Sequence, residues 1–345
     1  MTEAPIQATG PRDLGAIAEY VHQTQQANGL IPWYPDGPAD PWNHVESAMG
    51  LTVGGQYAAA QNAYSWLADT QLDDGSWWGE YEDGVPTAHH RETHRIAYVA
   101  TGVWHYFRAT DDQNFLECLW PTVERALDFV IDHQQTTGEV PWAVSATGDV
   151  YEAALVTGCS SLAMSLLCGW RIATALGRPR PGWRRAWARL REAIRRPSSA
   201  LDTRWLDKSS FAMDWFYPVL AGAVTGQAAA ERLAAEEATF IEPGLGCRCD
   251  RTEPWVTVAE TAELALAMLA VGRRSRAATL LSWTRRFRTA DDAYWTGYQF
   301  ADDELWPVER PTWTAGAVLL AADALCGHTP AADLFTAQQS IPSHP

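Results

Sequence analysis

The chain has 345 residues, 47% of them hydrophobic and 20% charged, with a formal net charge of −16. Such a composition belongs to a globular protein with a large core. The acidic balance opposes binding to nucleic acid or anionic membrane, which are both polyanions, and no apolar run approaches the ~20 residues of a membrane span.

The opening residues, MTEAPIQATGPRD, have neither the basic nor the apolar segment of an export signal. Six scattered Cys residues fit reduced thiols. A cytoplasmic protein is expected. No Gly/Ser run or charge block marks a linker, so residues 1–345 are expected to be one catalytic domain, with irregular termini outside about 12–328.

In chain order, apolar residues recur at helical spacing over 12–27, 43–54, 56–71, 90–109, 112–136, 155–177, 180–196, 210–225, 227–238, 257–271, 273–288 and 309–326. Strand-like alternation is scarce. Three of these stretches lead into one phrase: Gln25…Gly29…Trp33, Gln71…Gly75…Trp77 and Gln134…Gly138…Trp142. Tyr294-Trp295, after Asp291-Asp292, reads as a degenerate fourth copy. A repeated helix, Gly turn and aromatic implies a repeat architecture.

Connections after even-numbered helices are very short, as at Gly54-Gly55, Gly226 and Gly272, whereas those before them run to about a dozen residues or more. Six helical hairpins in a ring satisfy this alternation. The fold class expected is all-α, an (α/α)6 toroid with even-numbered helices inside and the long loops gathered on one face. That face is where a ligand cleft belongs.

Nine of the eighteen Trp residues lie in the long loops, where a purely core role explains them poorly. Aromatic faces suit sugar rings, and they also stabilise carbocations. Carboxylates open the inner helices: Glu46, Glu92, Asp214, Glu260 and Glu309. Each alone reads as N-terminal capping. Repeated around a ring beside Trp, they suggest the paired carboxyls of glycoside hydrolysis, one of them with its pKa raised by burial. His44, His89, His90 and His94 lack zinc spacing, so hydrogen bonding to sugar is expected of them, with no metal and no cofactor.

Three resemblances follow from these residues. WLADTQLDDGSWW resembles the QW repeat of squalene-cyclase and prenyltransferase toroids, although the DxDD signature of cyclisation is absent. ATDDQNFLECLWPTVERALDFVIDHQ is similar to an outer-helix segment of family 15 glucoamylase-like hydrolases. DPWNHVESAMGL, MDWFYPVLAGA, PWVTVAETAELALA and WPVERPTWTAGAVLLAADAL resemble an actinobacterial prenyltransferase-like family, that of mycobacterial methylmannose polysaccharide hydrolases. This last resemblance implies an endo-acting cytosolic α-1,4-mannanase whose substrate is a partly O-methylated mannan.

The expectation is therefore a glycoside hydrolase, with inversion implied by the glucoamylase-like fold. Glu260 is expected as general acid and Glu46 as base, steered by His44, with helices two and ten on facing parts of the ring. Glu309, Asp214 and Glu92 are reserve carboxylates. Trp42, Trp78, Trp255 and Trp306 are expected as sugar platforms, with His90 and Tyr294 also binding substrate. The partner is an oligosaccharide or polysaccharide, with a homodimer as the base-rate assembly. The rival readings are a terpene cyclase or prenyl-binding toroid, and a non-catalytic glycan-binding protein.

Overall fold

The computed structural model describes residues 11–196 and 204–337. The expected loop 197–209 falls partly outside them, as do the outermost terminal residues. The helices are α1 (Pro11–Thr24), α2 (Pro41–Val53), α3 (Tyr57–Thr70), α4 (Thr93–Thr110), α5 (Gln113–Asp132), α6 (Val156–Ala175), α7 (Pro181–Arg195), α8 (Ala212–Leu220), α9 (Gly226–Phe240), α10 (Val258–Ala270), α11 (Arg274–Thr284) and α12 (Thr312–Cys326). Each even-numbered helix packs on the next even-numbered one, and α12 returns to α2, closing an inner ring with the odd-numbered helices outside it.

Composition decides which helix goes where. Inner α2 buries every residue except Trp42 and Asn43. Outer α7 buries only Trp183, Ala186, Leu190 and Ala193, one stripe at helical spacing on an otherwise Arg-rich surface. The ring closes backbone to backbone. A Cβ on Gly50 of α2 would stand 2.9 Å from the Gly316 Cα of α12, and one on Gly316 would stand 2.7 Å from the Glu46 carbonyl oxygen.

The Gln–Gly phrases are staples between consecutive outer helices. Gln25 Nε2 donates to its own turn at Gly29 O (2.9 Å) and to Ala59 O of α3 (3.0 Å). Gln71 does the same at Gly75 O (2.8 Å) and Thr122 O of α5 (2.9 Å). Gln134 bonds Gly138 O (2.8 Å) and Ala186 O of α7 (2.9 Å). The three glycines have φ of 96°, 90° and 109°, and a Cβ on any of them would strike the next helix at the carbonyl of Asn62, Arg125 or Arg189.

The degenerate fourth copy keeps the same turn, with Thr289 N bonding Ala293 O and Asp292, at φ 64°, in the Gly place. Arg288 stands where Gln would, and its guanidinium reaches Asp13 of α1 at 3.6 Å, so an ion pair ties α11 to α1. The loop position of these Trp residues does not make each of them a rim residue. Trp77 is fully buried and donates to Leu67 O.

The long loops carry strands that the sequence pattern does not reveal. β1 (Glu80–Glu82) pairs with β2 (Val85–Ala88), and β3 (Arg91–Glu92) with β4 (Ala143–Val144). β5 (Ile241–Glu242), β6 (Gly246–Arg248), β7 (Trp255–Thr257), β8 (Gly297–Gln299) and β9 (Glu304–Leu305) form one antiparallel sheet. Strands of two to four residues are too short to show alternation. Their effect is to bind the loop before α10 to the loop before α12.

Gly75→Ala should destabilise the fold by at least about 2 kcal/mol, because it adds a backbone clash to a left-handed φ. Gly177→Ala, also at positive φ but facing open space, should cost about 1 kcal/mol. Urea denaturation of both variants checks the difference.

Candidate active site

The loop-face ends of the inner helices converge on a buried cluster of acids and phenols. Glu46 of α2, Tyr98 of α4, Tyr217 of α8 and Glu263 of α10 are all at most 8% exposed. Tyr98 donates its hydroxyl proton to Glu46 Oε2 at 2.6 Å. Trp42 covers the group, stacked on Tyr98 with centroids 4.7 Å apart and tilted over Tyr217 at 5.7 Å.

Burial pushes the Glu46 carboxyl up to about 7, against the opposing effect of the Tyr98 bond. Burial, then the charges of Glu46 and Glu260, raise Glu263 well above the carboxylate range. Among the described residues no Lys, Arg or His forms an ion pair with either glutamate. Two uncompensated carboxylates are not tolerated together in such a place, so the pair holds a proton.

Glu260 lies one helical turn before Glu263, on the same face of α10. It is half-buried, in the first turn, where the helix dipole favours negative charge. Thr257 donates its hydroxyl to Glu260 Oε2, and the Cys249 thiol is hydrogen-bonded to the same carboxylate. Trp255 opens the strand that leads into α10. Its indole Nε1 donates to Trp306 O at 2.8 Å, and the two rings meet edge to face at 5.0 Å.

Several expectations need correction. In the ring, α12 stands between α10 and α2, and α4 is the helix that faces α10. His44 cannot steer Glu46 or touch a sugar. It is fully buried, accepts at Nδ1 from Ile31 N (3.0 Å), bonds Ala63 O at Nε2 (2.9 Å), and is depressed to about 4 by burial. Tyr294 is also buried, with its hydroxyl pushed up to about 12 by desolvation.

The reserve carboxylates are held in other work. Glu92 meets His90 Nε2 (2.9 Å), His94 Nε2 (3.3 Å) and Arg95 Nε (3.0 Å), so its charge is paired with a guanidinium and its oxygens are occupied. Asp214 accepts from the Thr157 hydroxyl (2.7 Å) and backbone N–H (3.3 Å), which caps α6, and it lines a cavity of about 790 Å³ beside α7 and α9 that is separate from the central cluster. Glu309 stands in the loop before α12, outside the helix it was expected to open.

Trp78 is half-buried against His89, and His90 is partly exposed beside Trp142, so both remain at the face. Burial holds the His94 imidazole near 3, and this neutral ring packs edge-on against Trp42 at 5.3 Å. Among the described residues no group of three or more His, Cys, Asp or Glu could hold a metal ion.

Sequence reasoning missed Asp40, Tyr98, Tyr217 and Glu263. Asp40 caps α2 through Trp42 N (2.9 Å) and Asn43 N (3.1 Å), and takes the Trp33 indole proton at 2.7 Å. The signal for Asp40 was its place before Pro41. The signal for Glu263 was a lone charge inside TAELALAMLAVG.

Comparison with known proteins places this architecture. A wild-type glycosidase superposes with a TM-score of 0.73 at 16% identity, covering 92% of this chain and 98% of its own. A cellobiose 2-epimerase from Spirochaeta thermophila superposes at 0.63 with 15% identity, over 90% and 95% of the two chains. The fold is thus the (α/α)6 toroid used by glycosidases and sugar epimerases alike. No family model matches the chain. The sequence is 43% identical over 325 residues, 94% of this chain and 89% of the relative, to an MMP endo-(1,4)-3-O-methyl-α-D-mannosidase of Mycolicibacterium hassiacum. The chain belongs to the family of that enzyme and is a glycoside hydrolase.

Glu46 binds its proton more tightly folded than unfolded, since 4.5 rises to about 7. The stability it contributes is therefore complete below pH 4.5 and is lost as pH climbs through 7. Glu46→Gln should flatten this fall, gaining about 3 kcal/mol relative to wild type between the two ends of that window. Thermal melts of both proteins from pH 4.5 to pH 8 measure it.

Proposed function

We propose that this protein cleaves internal α-1,4 bonds of a methylmannose polysaccharide, with inversion, through Glu46 and Glu260. The observation that carries the reading is the 43% identity, across nearly the whole chain, to an enzyme named for endo-cleavage of 3-O-methyl mannoside linkages. The roles expected of the two glutamates are exchanged. Glu46, whose burial lets it keep a proton near neutrality, suits the general acid. Glu260, gripped by Thr257 and Cys249 at the mouth, suits the base that activates water.

Trp42, Trp78, Trp255 and Trp306 serve as platforms for sugar rings, with His90 at the same face. A cytoplasmic setting agrees with six thiols outside any disulfide, two of them, Cys118 and Cys326, exposed. Among the described residues no helix is long and apolar enough to cross a membrane. The cyclase reading expects an apolar lumen, and here the lumen holds Glu46, Glu263 and two tyrosine hydroxyls.

Glu46→Gln and Glu260→Gln should each lower kcat on an O-methylated α-1,4-mannan oligosaccharide by about 10²–10⁴-fold. Full activity in both would overturn the assignment. With Glu46 as the acid, wild-type kcat should fall as pH rises through about 7, because the required proton is lost. NMR of the first product formed should show the anomer opposite to that of the bond cleaved.

A further inference from the structure

The large apolar side chains left exposed are not scattered. Eight are more than a third exposed among the described residues, and seven of them, all but Tyr57, stand in the loops that precede the even-numbered helices. Val85 (63% exposed) sits at the β1–β2 hairpin, Val150 (41%) before α6, Phe211 (38%) before α8, and Trp306 (52%) and Val308 (74%) before α12. Four separate loops thus place apolar groups on the face where the inner helices begin. Isolated surface apolar residues need no explanation, but their confinement to the face of the active site does.

Their neighbours narrow the occupant. Exposed carboxylates alternate with these groups: Glu82 and Asp83 before Val85, Asp149 and Glu152 flanking Val150, and Asp303 and Glu304 before Trp306. A lipid surface or a second copy of the chain would require a continuous apolar patch, and like charge at −16 further opposes both an anionic lipid and self-association. A neutral polymer offering methyl groups among hydroxyls matches such a pattern, methyl to Val and hydroxyl to carboxylate.

We propose that this rim reads the O-methyl groups of the polysaccharide away from the bond being cleaved, so that selectivity for methylated over plain mannan resides in Val85, Val150 and Val308. The inference rests on the reading of the protein as a methylmannose polysaccharide hydrolase, and it adds where the methylation is recognised. Burying one methyl group accounts for about fourfold in affinity, so two or three contacts give about tenfold or more.

The test is the triple variant Val85→Thr, Val150→Thr and Val308→Thr, which keeps side-chain shape and replaces a methyl by a hydroxyl at each point. Its substrates are a 3-O-methylated α-1,4-mannan oligosaccharide and the unmethylated oligosaccharide of equal length. The ratio of kcat/KM for methylated over plain substrate should fall about tenfold, with kcat/KM on the plain substrate within about twofold of wild type. An unchanged ratio overturns the proposal while leaving the hydrolase reading intact. A wild type that cleaves neither substrate overturns the hydrolase reading itself. A wild-type mass that rises with concentration, and falls in the variant, reassigns the rim to self-association. An unchanged melting temperature establishes that the variant is folded.

Discussion

A glutamine side chain that reaches from the end of one outer helix to the backbone of the next fixes the spacing of the first four outer helices, α1, α3, α5 and α7. Each staple ties an outer hairpin to its neighbour through two carbonyls, and the glycine beside it permits an approach that any Cβ would block. Where the chain must close on itself, between α11 and α1, Arg288 and Asp13 replace the glutamine with an ion pair. A ring held at this radius forces its inner helices together until α2 and α12 touch at Gly50 and Gly316. From that closeness comes the crowding of acids at the loop face.

Crowding then does chemical work. An exposed glutamate would titrate in the ordinary carboxylate range, but among the described residues Glu46 is hydrogen-bonded by the Tyr98 side chain alone, and Trp42 packs over Tyr98 and Tyr217 beside it. Glu263 lies within the reach of both Glu46 and Glu260 and stays neutral beside them. The outcome is one carboxyl that retains a proton near neutrality and another, half-buried in the first turn of α10, held by Thr257 and Cys249. Two similar side chains gain different properties from their depth in the same ring.

Much of this was legible before any coordinate. Apolar periodicity located the twelve α-helices of the described residues, because inner and outer helices both bury at least a stripe. The alternation of long and short connections gave the toroid. Glu46 and Glu260 stood out through their Pro-Trp phrases. Legibility ended where a residue's meaning depends on its neighbour across the ring. His44 looked placed to steer Glu46, but residues two apart on a helix point to nearly opposite sides, and His44 turns outward to Ala63. Nothing in the spacing singles out Tyr98, and only α2 packing on α4 makes it a partner of Glu46. The strands of the loop face were hidden because segments this short carry no pattern of their own.

The sequence by itself determined the helix count, the connection lengths, the staples and the family, since each is written in local spacing or in residue identity. The tertiary structure decided which carboxylates are desolvated without a cation and which are tied to neighbouring groups. Glu92 is paired with the Arg95 guanidinium and bonded by His90 and His94, and Asp214 is spent on capping α6, while Glu46 is desolvated without a cation. The reason is physical. A carboxylate's proton affinity is set by the charges, dipoles and water around it, and those are supplied by residues that only the closed ring brings together.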